Sequence, residues 1–208
     1  MIDREAKTIR FPAQLHLAAF RAGDPPGHHL ITWKGGRAGK HALLRTGVKD
    51  VDVLDALESL GSKPGDNLVA ESWTERANPK SPAPDLHASG PKLAITVVVQ
   101  RPKLPPLRLA VEELLVDVDA RGFDWRLAGN RGLIERWRSG CVVCLQSCPG
   151  SKIANAKATM RHLHQERSRF KPSQRAVELG EGAQVQVEIR VLPLKPGKPV
   201  KPGKPKKQ

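Results

Sequence analysis

Tyrosine is absent from this 208-residue chain, and phenylalanine and tryptophan occur only four times each. With so few aromatic side chains, the chain has little from which to form a surface that stacks with nucleic-acid bases. Three cysteines are too few for a disulfide-dense secreted scaffold. The longest apolar run, residues 93–99 with Thr96 inside it, is far too short for a membrane-spanning helix. The sequence therefore predicts a globular protein with a core of Leu, Val, Ala and Ile.

Motifs of the common enzyme classes are missing as well. The chain has no Gly-x-Ser-x-Gly elbow, no His-Glu-x-x-His and no dinucleotide-binding glycine pattern. The segment GGRAGK at residues 35–40 differs from a phosphate-binding loop, because Lys34 occupies the place of its first glycine and His41 that of the final Ser or Thr. We interpret it as a basic hairpin loop between two strands. The absence of these motifs favours a non-catalytic protein.

Positive charge is abundant but unevenly distributed. Lys and Arg number 35 against 21 Asp and Glu, which gives a net charge of +14. Six of these charges lie in residues 195–208, which repeat Lys-Pro-Gly and contain no acidic residue. Proline at this density opposes helix and sheet, and glycine adds flexibility. We therefore predict one domain over residues 1–194 and a flexible, disordered basic tail over residues 195–208.

Basic residues of the tail and of a second cluster are candidates for polyanion binding. The candidates are Lys198, Lys201, Lys204, Lys206 and Lys207 in the tail, with Arg161, Arg167 and Arg169 in the body. Their partner would be a nucleic acid, an anionic surface or an acidic protein. No base-reading motif accompanies them, so a solubilising or spacer tail is the alternative.

Local patterns predict an α+β fold with a mostly antiparallel sheet. Apolar residues recur every third position from Val51 to Leu60, Asp50 or Asp52 can cap the start, and Gly61 follows the end, so one clear helix is expected over about 51–60. Residues 93–99 are rich in β-branched side chains, and residues 184–191 alternate with period two. A further short apolar strand is predicted over residues 140–145.

Three cysteines fall within eight residues, in the pattern C-x2-C-x3-C-P formed by Cys141, Cys144 and Cys148. An iron–sulfur cluster needs four ligands, and a zinc site with three cysteines needs one histidine, such as His162 or His164. A regular strand would point Cys141 and Cys144 to opposite faces, however. Buried structural thiols, a zinc or iron–sulfur site and redox chemistry therefore remain alternatives.

His28 and His29 form an adjacent pair at the start of a predicted strand. Adjacent residues of a strand face opposite ways, so we do not expect them to bind one ligand together.

Several segments together resemble one bacterial protein family. They are TIRFPA at residues 8–13, GKH at 39–41, VLDALESLGSKPG at 53–65, WRLAG at 125–129 and VEIRVLP at 187–193. The chain resembles the YdjY-like family, whose biochemical function is uncharacterised. This resemblance implies an accessory or interaction domain. The family tends to have Glu where Ala42 stands, and some members carry additional cysteine clusters similar to those of ferredoxins.

The two indications of cellular location differ. The first residues, MIDRE, contain no apolar signal segment, which favours a cytoplasmic protein. Family members are often exported, so the resemblance implies a periplasmic protein whose leader is missing from this sequence.

Overall fold

A computed structural model describes residues 1–22, 27–74, 77–78 and 80–193 of the chain. The predicted basic tail, with its five candidate lysines, lies outside these residues. The longest described helix has ten residues, about half of what crossing a bilayer requires.

Twelve strands and six α-helices make up the described chain. The strands are β1 (Ile2–Asp3), β2 (Thr8–Leu15), β3 (His29–Trp33), β4 (Ala42–Thr46), β5 (Leu93–Arg101), β6 (Leu104–Ala110), β7 (Leu115–Asp117), β8 (Trp125–Leu127), β9 (Cys141–Cys144), β10 (Ile153–Asn155), β11 (Phe170–Pro172) and β12 (Gln184–Val191). The helices are α1 (Leu17–Arg21), α2 (Asp50–Ser59), α3 (Glu71–Thr74), α4 (Arg131–Trp137), α5 (Met160–His164) and α6 (Gln174–Leu179), and a 3-10 turn spans Val111–Leu114.

Ten of the strands form one large sheet in the order β6-β5-β12-β2-β4-β3-β9-β10-β8, with β1 paired to β2. Strands β7 and β11 form a separate antiparallel pair. Within the large sheet only β3·β4 and β9·β10 are parallel. The predicted α+β class with a mostly antiparallel sheet is therefore confirmed.

The alternating strand predicted over residues 184–191 is confirmed as β12, between β5 and β2. Its inward residues Val185, Val187 and Ile189 are buried in the core, and Gln184, Gln186 and Arg190 lie on the other face. This alternation with period two is what a strand with one buried face requires.

The helix predicted over about 51–60 is confirmed as α2, which contributes Val53, Leu54 and Leu57 to the core. The predicted cap is wrong, because Lys49 occupies the N-cap position and Asp50 already lies within the first turn. Asp50 instead forms a buried ion pair, described below. The other five α-helices have four to seven residues, too few for a periodic pattern.

The hairpin predicted for residues 35–40 is wrong, because β3 and β4 run parallel. The connection instead packs on the segment before β9, where Ala38 N–H donates to the Ser139 carbonyl at 2.8 Å. A Cβ on Gly36 would lie 2.3 Å from the Gly140 Cα, so this contact requires glycine. The glycines of this loop therefore serve a close backbone approach.

Candidate metal centre

A register irregularity between β3 and β9 brings two cysteines to the same side. Thr32 pairs with Cys141 and Ile31 with Val143, so β9 has an extra residue, Val142, at this step. Such a bulge shifts the alternation of side chains by one position. The expectation that Cys141 and Cys144 point to opposite faces is therefore wrong, and their sulfurs lie close together.

Both histidines of the 28–29 pair reach these cysteines. His29 pairs with Cys144 across the ladder, and its Nδ1 lies 3.3 Å from the Cys141 Sγ. The rings of His28 and His29 stack at 4.2 Å, contrary to the expectation that they diverge. His28 precedes β3, which begins at His29, so strand alternation does not apply to it.

Cys148 is positioned by the turn after β9. Its N–H donates to the Gln146 carbonyl at 2.8 Å, and its own carbonyl accepts from the Ser151 hydroxyl at 2.7 Å. This turn folds the chain back so that Cys148 approaches the end of the strand that precedes it. All three cysteines are buried, with at most 4% of any one exposed.

The donors form two overlapping groups that share Cys144. One contains His28, Cys144 and Cys148, and the other His29, Cys141 and Cys144. In each group the ligand atoms lie within 4.8 Å of one another. Tetrahedral zinc with bonds of about 2.3 Å separates neighbouring sulfurs by about 3.8 Å. Small side-chain shifts, of up to about 1 Å by that comparison, would bring either group onto one ion.

The three thiols differ in the direction in which their pKa values are shifted. The pKa of Cys141 is lowered to about 5, mainly because Cys144 donates a hydrogen bond to its sulfur. The nearby His29 adds to this lowering, whereas burial opposes it. A hydrogen bond from Cys144 also lowers the pKa of Cys148. Burial, and hydrogen bonding to its two neighbours, raise the pKa of Cys144 well above its usual range. Burial is the strongest single influence on His29 and lowers its pKa, but the charge of Cys141, its hydrogen bond and the charge of Cys148 together raise the His29 pKa above its ordinary value. Thiolate, the form that binds metal, is thus favoured at Cys141 and Cys148.

The surroundings of the cysteines are apolar with one buried charge pair nearby. Met160 and Leu163 complete the buried cluster, and Trp73 packs against it, 5.6 Å from the His28 ring between centroids. Lys152 is fully buried and forms an ion pair with Asp50. Its positive charge contributes to the low pKa of Cys141.

The histidines suggested by the sequence as a fourth ligand lie elsewhere. His162 accepts a hydrogen bond from the N–H of Thr159, the N-cap residue of α5, and His164 is exposed. Neither belongs to the two donor groups, whose histidines are His28 and His29. His29 and Cys141 are 112 residues apart, so local spacing gives no signal for their contact.

The described polyanion candidates are partly engaged by the protein itself. Arg161 donates to the carbonyl oxygens of Ser81 and Ala83, at 3.1 and 2.7 Å. Arg169 forms an ion pair with Asp119 at 2.8 Å. Arg167 has an exposed side chain. Two of the three arginines thus hold loops of the fold together.

Comparison with known proteins gives one family. The profile of the YdjY domain matches residues 1–190. The uncharacterised protein YdjY of Escherichia coli K12 is 29% identical over 158 residues, which cover 76% of this chain and 63% of that protein. The chain thus spans less than two thirds of this relative's length. No solved structure matches the chain significantly. Because the domain profile covers nearly all of the described residues, the chain belongs to the YdjY family.

Proposed function

We propose that this chain binds one zinc ion through Cys141, Cys144, Cys148 and one histidine, His28 or His29. The observation that carries the proposal is the pair of donor groups that share Cys144. An ion bonded to the Cys144 sulfur can draw its other ligands from both groups. Three thiolates and one imidazole are a common ligand set of closed, structural zinc sites.

Burial favours a closed site of this type. A catalytic zinc ion keeps an open position for water or substrate, whereas a structural zinc ion has four protein ligands. The cysteines and His28 are each at most 4% exposed. A zinc ion held here would stabilise the fold by joining β3, β9 and the turn that follows, which agrees with a non-catalytic accessory domain over residues 1–194.

The geometry supports an iron–sulfur cluster less well. Such a cluster inserts several iron and sulfide atoms between its ligands. Within each donor group the ligand atoms lie within 4.8 Å of one another, which leaves room for one ion rather than for a cluster. Redox chemistry of the free thiols is also less supported, since reactive cysteines are partially exposed and these are buried.

Metal analysis of protein purified under reducing conditions tests the proposal. We expect one zinc ion per chain, and cobalt substitution should give intense thiolate-to-cobalt charge-transfer absorption. Cys144→Ser removes the shared ligand and should weaken zinc binding more than about 100-fold, because even outer-shell changes cost 10–100-fold.

His41→Gln is the matched control, since His41 is exposed and outside both donor groups. Zinc affinity should be unchanged in this variant. Failure of the folded wild-type chain to bind added zinc, or equal affinity in Cys144→Ser and the wild type, would contradict the proposal.

Polyanion binding is a second candidate, resting on the charge of residues 195–208. Deleting this tail should weaken binding to a DNA duplex, and the salt dependence should decrease with the number of lysines removed. Affinity that does not change with salt would exclude this function.

A further inference from the structure

A second polar site lies on the face of the large sheet that points away from the core. An open cavity of about 290 Å³ is formed where β2, β4 and β12 meet the connections that follow β3 and β4. Its lining consists of Pro12, Ala13, Gln14, His16, Lys34, Arg45, Thr46, Gly47 and Gln184. None of these residues belongs to the cysteine and histidine groups described above.

Three of the lining side chains form a row across the sheet. Gln184 of β12 pairs with Gln14 of β2, and Gln14 pairs with Arg45 of β4. Residues directly opposite one another on neighbouring strands present their side chains on the same face. The ladder therefore fixes two amides beside one guanidinium at the cavity wall.

The guanidinium of Arg45 has an unmet hydrogen-bonding capacity. Its Nε is buried and has no hydrogen-bond partner in the described part of the chain. Leaving such a charged donor without an acceptor costs free energy. The hydroxyl of Thr32, which lies opposite Arg45 in the β3·β4 ladder, is also buried without a hydrogen-bond partner among the described residues. An acceptor bound at Arg45 would remove part of this cost.

The ionisable side chains of the described cavity lining are all basic. Lys34 adds a second cation, and no carboxylate is among the described lining residues. His16 lies 3.3 Å from Glu181, whose other carboxylate oxygen accepts from the N–H groups of Leu17 and Ala18. The carboxylate of Glu181 is thus engaged by His16 and two backbone N–H groups, and among the described lining residues Lys34 and Arg45 have no carboxylate partner.

Other arginines on this face of the sheet differ from Arg45. Arg10 and Arg108 both contact the carboxylate of Glu188, at 3.1 and 2.6 Å. Glu188 therefore provides an acceptor for both of these arginines. The contrast indicates that the open acceptor position at Arg45 is a local property of the cavity rather than of the sheet face.

We propose that this cavity binds a phosphate group, either as free phosphate or as the phosphomonoester of a small molecule. The planar guanidinium of Arg45 matches two phosphate oxygens, and the Lys34 ammonium supplies the second positive charge that a dianion requires. A volume of about 290 Å³ is at the lower end of the range of about 300–1,000 Å³ typical of small-molecule sites. It therefore accommodates a phosphate with a few attached carbons, held by the amides of Gln14 and Gln184. This site is independent of the proposed zinc function.

Titration of the full chain with inorganic phosphate, and separately with glycerol 3-phosphate, tests this proposal. The Nε–H resonance of Arg45 should shift saturably in the nitrogen–proton NMR spectrum. Arg45→Gln should weaken binding about tenfold or more, since a hydrogen bond to a charged group contributes about 1.5–3 kcal/mol. Tighter binding of glycerol 3-phosphate would identify a phosphomonoester, and tighter binding of phosphate the free ion; both support the site.

Arg190→Gln is the matched control, because Arg190 is exposed on the same face but outside the cavity. It removes the same charge and should change the affinity less than about twofold if binding is local. Equal losses in Arg45→Gln and Arg190→Gln would show general charge attraction and overturn the proposal. So would the absence of a saturable shift at Arg45, or equal affinity for acetate, which carries only one charge.

Discussion

The two halves of the large sheet differ in how regularly their strands pair. On one side, β12 pairs with β2 and β5 through long antiparallel ladders without a register shift. On the other side, β3 and β9 pair through short stretches with two register shifts, and both parallel pairs of the sheet occur there. We call β2, β5 and β12 the regular half and β3, β4, β8, β9 and β10 the irregular half, and the donor groups lie in the irregular half. Departures from regular pairing are common where proteins position functional side chains.

The largest expected effect comes from the buried ion pair Lys152–Asp50, which joins α2 to the segment that precedes β10 in the irregular half. Asp50→Asn leaves a fully buried ammonium without its partner and should lower the free energy of unfolding by about 3–5 kcal/mol. Asp55→Asn on the same helix breaks an exposed pair with Arg131 and should cost less than about 1 kcal/mol. Urea unfolding of both variants measures the difference. Equal losses of unfolding free energy in the two variants would mean that burial does not strengthen the Lys152–Asp50 pair.

Zinc bound at the proposed site should stabilise the irregular half and thereby the whole domain. At a zinc concentration about 100 times the dissociation constant, the free energy of unfolding should rise by about 2.7 kcal/mol. The gain should disappear in Cys144→Ser, which lacks the ligand common to both donor groups. Thermal unfolding with and without zinc, at fixed pH, provides the measurement. An equal rise in both proteins would place the zinc elsewhere.

The smallest expected effect lies in the regular half, at Glu188. Hydrogen bonds from Arg108 and Arg10 lower the pKa of Glu188 below its ordinary value of 4.5, although burial opposes them. A carboxylate with a lowered pKa contributes stability above its unfolded pKa, and this contribution is lost as the pH falls through the folded pKa. Glu188→Gln should therefore cost about 1 kcal/mol at pH 7, a modest value because Arg108 is largely exposed.

Unfolding measured in steps below about pH 5 should show the Glu188→Gln deficit shrinking towards zero. Glu178→Gln, which removes an exposed carboxylate 3.8 Å from Arg175, is the control and should show little effect at any pH. A deficit that persists at low pH would mean that Glu188 acts through packing rather than through its charge.

Elements with an uninterrupted local pattern are the ones that the sequence predicts best. Strand β12 follows directly from the alternation of residues 184–191, and α2 follows from the apolar spacing of residues 51–60. These elements depend on side chains close together in the sequence, where the period of a strand or helix applies without interruption.

The irregular half depends on pairings that local patterns do not contain. The approach of His29 to Cys141 joins residues 112 positions apart, and it requires the bulge at Val142. A bulge exists only relative to a partner strand, so no period within residues 140–145 reveals it. The three cysteines are therefore identifiable from sequence, whereas their grouping with His28 and His29 is not.

The central place of β12 has a consequence for the order in which the chain is made. This strand lies between β2 and β5, yet it is the last strand of the described chain to be synthesised. Until residues 184–191 leave the ribosome, β2 and β5 each present an edge that has no neighbour. Unpaired edges readily join those of other chains. Newly made chains that stall before Gln184 should therefore associate with one another, and completion of this one strand should close both edges at once.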